Sequence, residues 1–114
     1  VRNTTFSKNK TLASRYAEEA LEWLRNERDK DVSAFLNKAQ IPKWCLNQLS
    51  WSNQNPCSPN EKITGTPFLR EVSFSNVGLP PDTIIEAVVK VEWVDSQGSH
   101  LVQNVTNFAD WRQR

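Results

Sequence analysis

The chain has 114 residues, with 14 Lys and Arg against 13 Asp and Glu, for a formal net charge of +1. That length sets a prior of one domain, and the near balance of charge argues against a dedicated nucleic-acid binder, whose domain is usually strongly basic. Hydrophobic residues make up 38% of the chain and include five Trp and five Phe, enough for one modest, aromatic-rich core, while only three Gly disfavour collagen-like and glycine-loop architectures.

Residues 7–31 predict one helix. At 100° per residue, Leu12, Trp23, Tyr16, Ala20, Ala13, Leu24, Phe6 and Ala17 share a sector of about 140°. The opposite side carries Thr11, Ser14, Arg15, Glu18, Glu22 and Arg25 and reads as a solvated face. Ser7 or Thr5 is the expected cap. Glu27 breaks the stripe by falling in the apolar sector; the expectation is that the helix no longer packs there, rather than that the carboxylate faces inward with a partner. Val32-Ser33-Ala34-Phe35-Leu36 reads as one further helical turn that returns Phe35 and Leu36 to the core.

Residues 37–66 are rich in Asn, Ser, Gln and Pro and read as a long loop. Trp44, Leu46, Leu49 and Trp51 lie inside it, so the loop is expected to be pinned by its two indoles and by Cys45 and Cys57. Those cysteines stand twelve positions apart. Two of them cannot make a four-ligand zinc site and the only histidine, His100, is distant in sequence. The pair reads as a disulfide formed in an oxidising compartment, with two unpaired structural thiols as the alternative.

The last third has strand character. Residues 67–75 place Phe68, Val72 and Phe74 on one face. In residues 83–94, Ile85, Ala87, Val89, Val91 and Trp93 face one way and Glu86, Lys90 and Glu92 the other. Asp95-Ser96-Gln97-Gly98 is a tight-hairpin signal, and residues 99–108 return as a strand. The sum is an α+β domain over residues 1–114. An N-terminal amphipathic helix packs on an antiparallel sheet of three or four strands, a meander over 67–108.

Residues suited to catalysis are scarce. His100 alternates within a hairpin and reads as an exposed strand histidine, and Asp29 and Asp31 lack the loop pattern of a calcium site. No cofactor, metal or small-molecule substrate is expected. Arg2, Lys8, Lys10 and Arg15 make a basic start that suits anionic headgroups or phosphates, but a solvated helix start is the expected reading. The sequons at Asn3, Asn9 and Asn104 read as coincidental. The longest purely aliphatic stretch, near Ala87-Val88-Val89, is far short of the ~20 residues of a membrane span. The first residue is Val1 rather than Met, so a removed upstream segment is expected.

The run from Glu19 to Asp29 (EALEWLRNERD) resembles the helix of minor type IV pilins of the PilV-like group, where an Arg-x-x-Arg-Asp run follows the membrane-spanning half. The ending is similar as well: Val91-Glu92-Trp93-Val94-Asp95, a turn, His100-Leu101-Val102, then a close near Asn107-Phe108-Ala109-Asp110-Trp111-Arg112. The resemblance implies a long N-terminal helix on an antiparallel sheet with an αβ-loop. It also implies a non-enzymatic structural subunit of a type IV pilus or related bacterial filament. Such a subunit is anchored in the inner membrane by a helix upstream, exposed to the periplasm and then to the cell surface, and partnered by other pilin subunits. A type II secretion pseudopilin is the near alternative. A surface module for DNA uptake or host adhesion is another, using the loop from Trp44 to Cys57. Its candidate contact residues are Lys43, Trp44, Trp51, Asn53, Gln54, Asn55 and Lys62, with the tip Asn53–Asn55 expected to be exposed and replaceable.

Overall fold

A computed structural model describes residues 2–79 and 83–109, with side chains from Lys8 onward. The expectations for Phe6, for the side chain of Arg2, for the Asn3 sequon and for the closing Asp110-Trp111-Arg112 lie outside the described residues.

Helix α1 (Arg2–Lys30) and helix α2 (Val32–Lys38) precede four strands, β1 (Lys43–Cys45), β2 (Leu69–Asn76), β3 (Ile84–Asp95) and β4 (Gly98–Ala109). The backbone is already helical at Arg2, so Thr5 and Ser7 stand inside α1 and neither caps it. Asp31 separates the two helices. Its backbone is extended (φ −159°, ψ 100°) and its Oδ1 accepts from Ala34 N at 3.0 Å. A carboxylate that caps a new helix competes with continuation of the old one.

The sheet is antiparallel throughout, in the order β1-β2-β3-β4. Strand β1 was not expected within the loop at 37–66. Three residues are too few to show an alternation, and their pairing with β2 (Trp44 with Val72, Cys45 with Glu71) is non-local. The tight turn is present: Asp95 pairs with Gly98 and Asp95 Oδ1 accepts from Gln97 N at 2.8 Å. Gly98 sits at φ +113°, a value that side-chain-bearing residues rarely adopt. His100 is half-buried rather than exposed; its ring packs 5.1 Å from that of Trp93 and its Nε2 lies 2.8 Å from Asp95 Oδ1. The hydrogen bond with His100, reinforced by Gln97 N, holds the Asp95 carboxyl below its ordinary pKa.

One face of the sheet carries α1. Ala13, Ala17 and Ala20 are wholly buried, as are Leu24, Val89 and Val91, with Trp93 nearly so. Three alanines on the contact face bring the helix axis close to the sheet. The larger Tyr16 and Trp23 flank the stripe and pack at its margins. The Tyr16 and Phe68 rings are 5.5 Å apart, and those of Phe68 and Trp93 5.6 Å. Phe35 of α2 closes the other end of the core against Phe108 (5.0 Å) and Phe74 (6.0 Å). The molecule is elongated, 54 × 24 × 21 Å.

Candidate interaction surface

The segment between β1 and β2 contains the predicted contact residues, and the structure sorts them into supports and rim. Cys45 and Cys57 form a disulfide, with Cα atoms 4.8 Å apart. Cys45 is buried on the short strand, while Cys57 comes from the irregular segment, so the bridge ties the loop to the sheet edge.

Both indoles pack inward and help pin the loop, Trp44 completely and Trp51 in part. Trp44 is 0% exposed, and its Nε1 donates to Lys38 O at 3.0 Å. It faces inward because it pairs with Val72, itself an inward-facing residue of β2. Trp51 is half-buried between Trp23 (4.7 Å) and Trp44 (5.0 Å), with Phe35 and Phe74 just beyond. Trp44, wholly buried, offers no ring face for a base to stack on, whereas Trp51 keeps part of its surface exposed.

Glu27 explains how Trp51 tolerates this position. Trp51 Nε1 donates to Glu27 Oε1 at 2.8 Å, and Lys30 Nζ lies 3.0 Å from Oε2. The carboxylate does face inward with partners, and the expectation that packing lapses at this turn is overturned. Burial pushes the Glu27 carboxyl up, but the hydrogen bonds from Lys30 and Trp51 outweigh it and hold its pKa below the ordinary value.

A second buried polar centre went unrecognised. Arg70 lies in phase with Phe68, Val72 and Phe74 and is only 2% exposed. Its Nε donates to Leu46 O at 2.8 Å. One terminal nitrogen donates to Tyr16 O at 3.1 Å and to Glu19 Oε1 at 2.7 Å. One guanidinium thus ties the start of the loop, β2 and α1 together. The alternation of residues 67–75 already placed a charge at an inward position, which was the available signal.

The remainder of the loop is fastened by Glu61. Its carboxylate accepts from Ser58 N at 2.9 Å and from Asn53 Nδ2. The Ser58 bond is the chief reason its pKa lies below the ordinary value. Asn53 O in turn accepts from Cys45 N at 3.0 Å. Asn53 is therefore a half-buried brace and not part of a free tip. Gln54 and Asn55 of the tip are exposed, and so are Lys43 and Lys62. Asp29 lies beside Arg28 and Asp31 caps α2, which accounts for both carboxylates. Among the described residues no helix is long and apolar enough to cross a membrane.

No family model, curated protein or solved structure matches the chain.

Proposed function

We propose that this chain is the globular part of a pilin-like filament subunit, a structural protein of a bacterial type IV pilus or a related secretion filament. The observation that carries the reading is the placement of α1. The helix spans 29 residues, about 43 Å at 1.5 Å per residue. Among the residues whose side chains are described, its core-facing stripe starts at Leu12 and Ala13, and Lys8, Lys10 and Thr11 are exposed. Helical turns whose described side chains bury little against the sheet are marginal in water. They make physical sense as the junction to a helix that continues upstream and packs among its counterparts in a bundle.

Further support comes from the α1-on-meander arrangement, the disulfide-tied region between helix and sheet, and the resemblance at Glu19–Asp29 and Val91–Arg112. On this reading the partners are other pilin or pseudopilin subunits. The upstream helix anchors the subunit in the inner membrane before assembly, and the folded part faces the periplasm and then the cell surface. The choice between a pilus and a type II secretion filament lies with the neighbours. The reading of this chain as a DNA- or host-binding loop loses its aromatic platform with the burial of Trp44, leaving Lys43, Gln54, Asn55 and Lys62 as a polar rim.

The reading is tested in the gene and in the cell. The reading frame upstream of Val1 is expected to encode a prepilin-type cleavage site followed by about 20 apolar residues. Deletion of the gene is expected to abolish or reduce surface filaments or secretion through them. A conventional signal peptide ending just before Val1, or unaltered filaments and secretion after deletion, rejects it.

A further inference from the structure

Strand β4 is the last strand of the sheet, and its outer edge has no backbone partner among the described residues. The hydrogen-bonding pattern identifies which groups it offers. Val77 N donates to Ile84 O at 2.8 Å, so Ile84 directs its backbone toward β2. Alternation along an antiparallel ladder then turns Ile85, Ala87, Val89, Val91 and Trp93 toward β4, where they bond Phe108, Thr106, Asn104, Val102 and His100. The intervening residues Ser99, Leu101, Gln103, Val105 and Asn107 point their N–H and C=O groups off the edge.

Natural sheets protect such an edge with Lys, Pro, bulges or short length. β4 uses none of these. It is twelve residues long, GSHLVQNVTNFA, with no Lys, Arg, Asp, Glu or Pro, and it pairs with β3 without a register break from Gly98 to Ala109. The same residues whose backbone faces outward carry side chains on the helix-free face, where Leu101 and Val105 are 53% and 51% exposed.

The pattern is self-complementary. Two copies of β4 run antiparallel about a twofold axis at Gln103 set Leu101 against Val105 of the second copy, and Ser99 against Asn107, on both sides of the axis. Gln103 meets its own counterpart. Every outward pair is apolar with apolar or polar with polar, and no charge meets a like charge. An axis one residue to either side, at Val102 or Asn104, sets Leu101 and Val105 against polar residues.

We propose that the free edge of β4 is a self-association site at which a second copy of this chain adds its own β4, in the register centred on Gln103, to form a continuous eight-stranded sheet. The proposal does not depend on the filament reading. An isologous strand pair of this length is a small interface, so association in the micromolar to tens-of-micromolar range, roughly, is expected.

Sedimentation velocity on the chain from about 1 μM to 1 mM is the test. A monomer–dimer equilibrium is expected for the wild type. Gln103→Lys and Gln103→Glu each place like charges across the axis and should weaken self-association at least about tenfold. An equimolar mixture of the two should restore the dimer. Gln103 is exposed, so far-UV spectra and melting curves should match the wild type and exclude misfolding as the cause. Gln103→Cys should close an intermolecular disulfide under mild oxidation. A wild type that stays monomeric throughout, charged variants that associate as the wild type does, or a cross-link through Val105→Cys with none through Gln103→Cys would each overturn the proposal.

Discussion

Two charged side chains that point inward do more for this protein than its many surface charges. Arg70 satisfies two backbone carbonyls and one carboxylate from positions separated in sequence by 24, 54 and 51 residues. Replacing it with Met preserves much of the volume but leaves those acceptors without their donor. Arg70→Met is expected to cost about 2–4 kcal/mol in urea unfolding. Glu19→Gln, at the half-exposed end of the same pair, should cost less than about 1 kcal/mol. Equal losses in the two variants would place the energy in the ion pair and not in the carbonyl bonds. Glu27 makes a pH-dependent case. Its pKa is lowered in the folded state, so its contribution is present above the unfolded carboxylate value of about 4.3 and is lost as pH falls through the lower folded value. Glu27→Gln should therefore be less stable than wild type near neutral pH, by roughly 1 kcal/mol. The gap should close on acidification below about pH 4, followed by Trp fluorescence. A gap that widens with acid would mean that the sign is wrong.

The element on which function was expected to concentrate is the loop from Trp44 to Cys57, with Lys43 and Lys62 beside it, and its behaviour follows from which of its groups are braced. Cys57, Asn53 and Trp51 are each tied to the sheet edge or to α1, whereas Gln54 and Asn55 meet solvent. Gln54→Ser with Asn55→Ser should leave the melting temperature within about 1–2 °C, because no buried area or internal bond is lost. Adding Asn53→Ser removes the amide donor to Glu61 and should lower the melting temperature by about 3–5 °C. Differential scanning calorimetry of the double and triple variants separates the two effects, and a triple variant indistinguishable from the double would show that the Asn53 bond contributes nothing. The same comparison in a filament or secretion assay reads whether the Gln54–Asn55 rim meets a partner.

At the scale of the whole molecule, stability rests on α1 lying across β3 and β4. Ala20 is wholly buried at the centre of that contact, and Ala20→Asp inserts a charge with no partner. A loss of about 3 kcal/mol or more is expected, measured by chemical denaturation. A variant that unfolds at the wild-type denaturant concentration would show that the helix does not dock through this stripe. Much of this architecture was legible in the residues. A period of 3.6 marked Ala13, Ala17, Ala20 and Leu24 as one face, a period of 2 marked Ile85 to Trp93, and Asp-Ser-Gln-Gly marked the turn, because these signals arise between residues a few positions apart. The disulfide was legible for a related reason, since a single cysteine pair has only one partner to choose. The edge strand Lys43–Cys45, the partners that let Arg70 and Glu27 point inward, and how deeply each pinning indole is buried, Trp44 wholly and Trp51 in part, were settled by tertiary structure alone. A three-residue strand has no internal periodicity, and its existence depends on β2 lying beside it. An inward charge is tolerable only when carbonyls and carboxylates from distant segments converge on it. An indole in a polar loop is surface or core according to whether a helix and a sheet leave a gap of its size, a property of their packing that no local pattern carries.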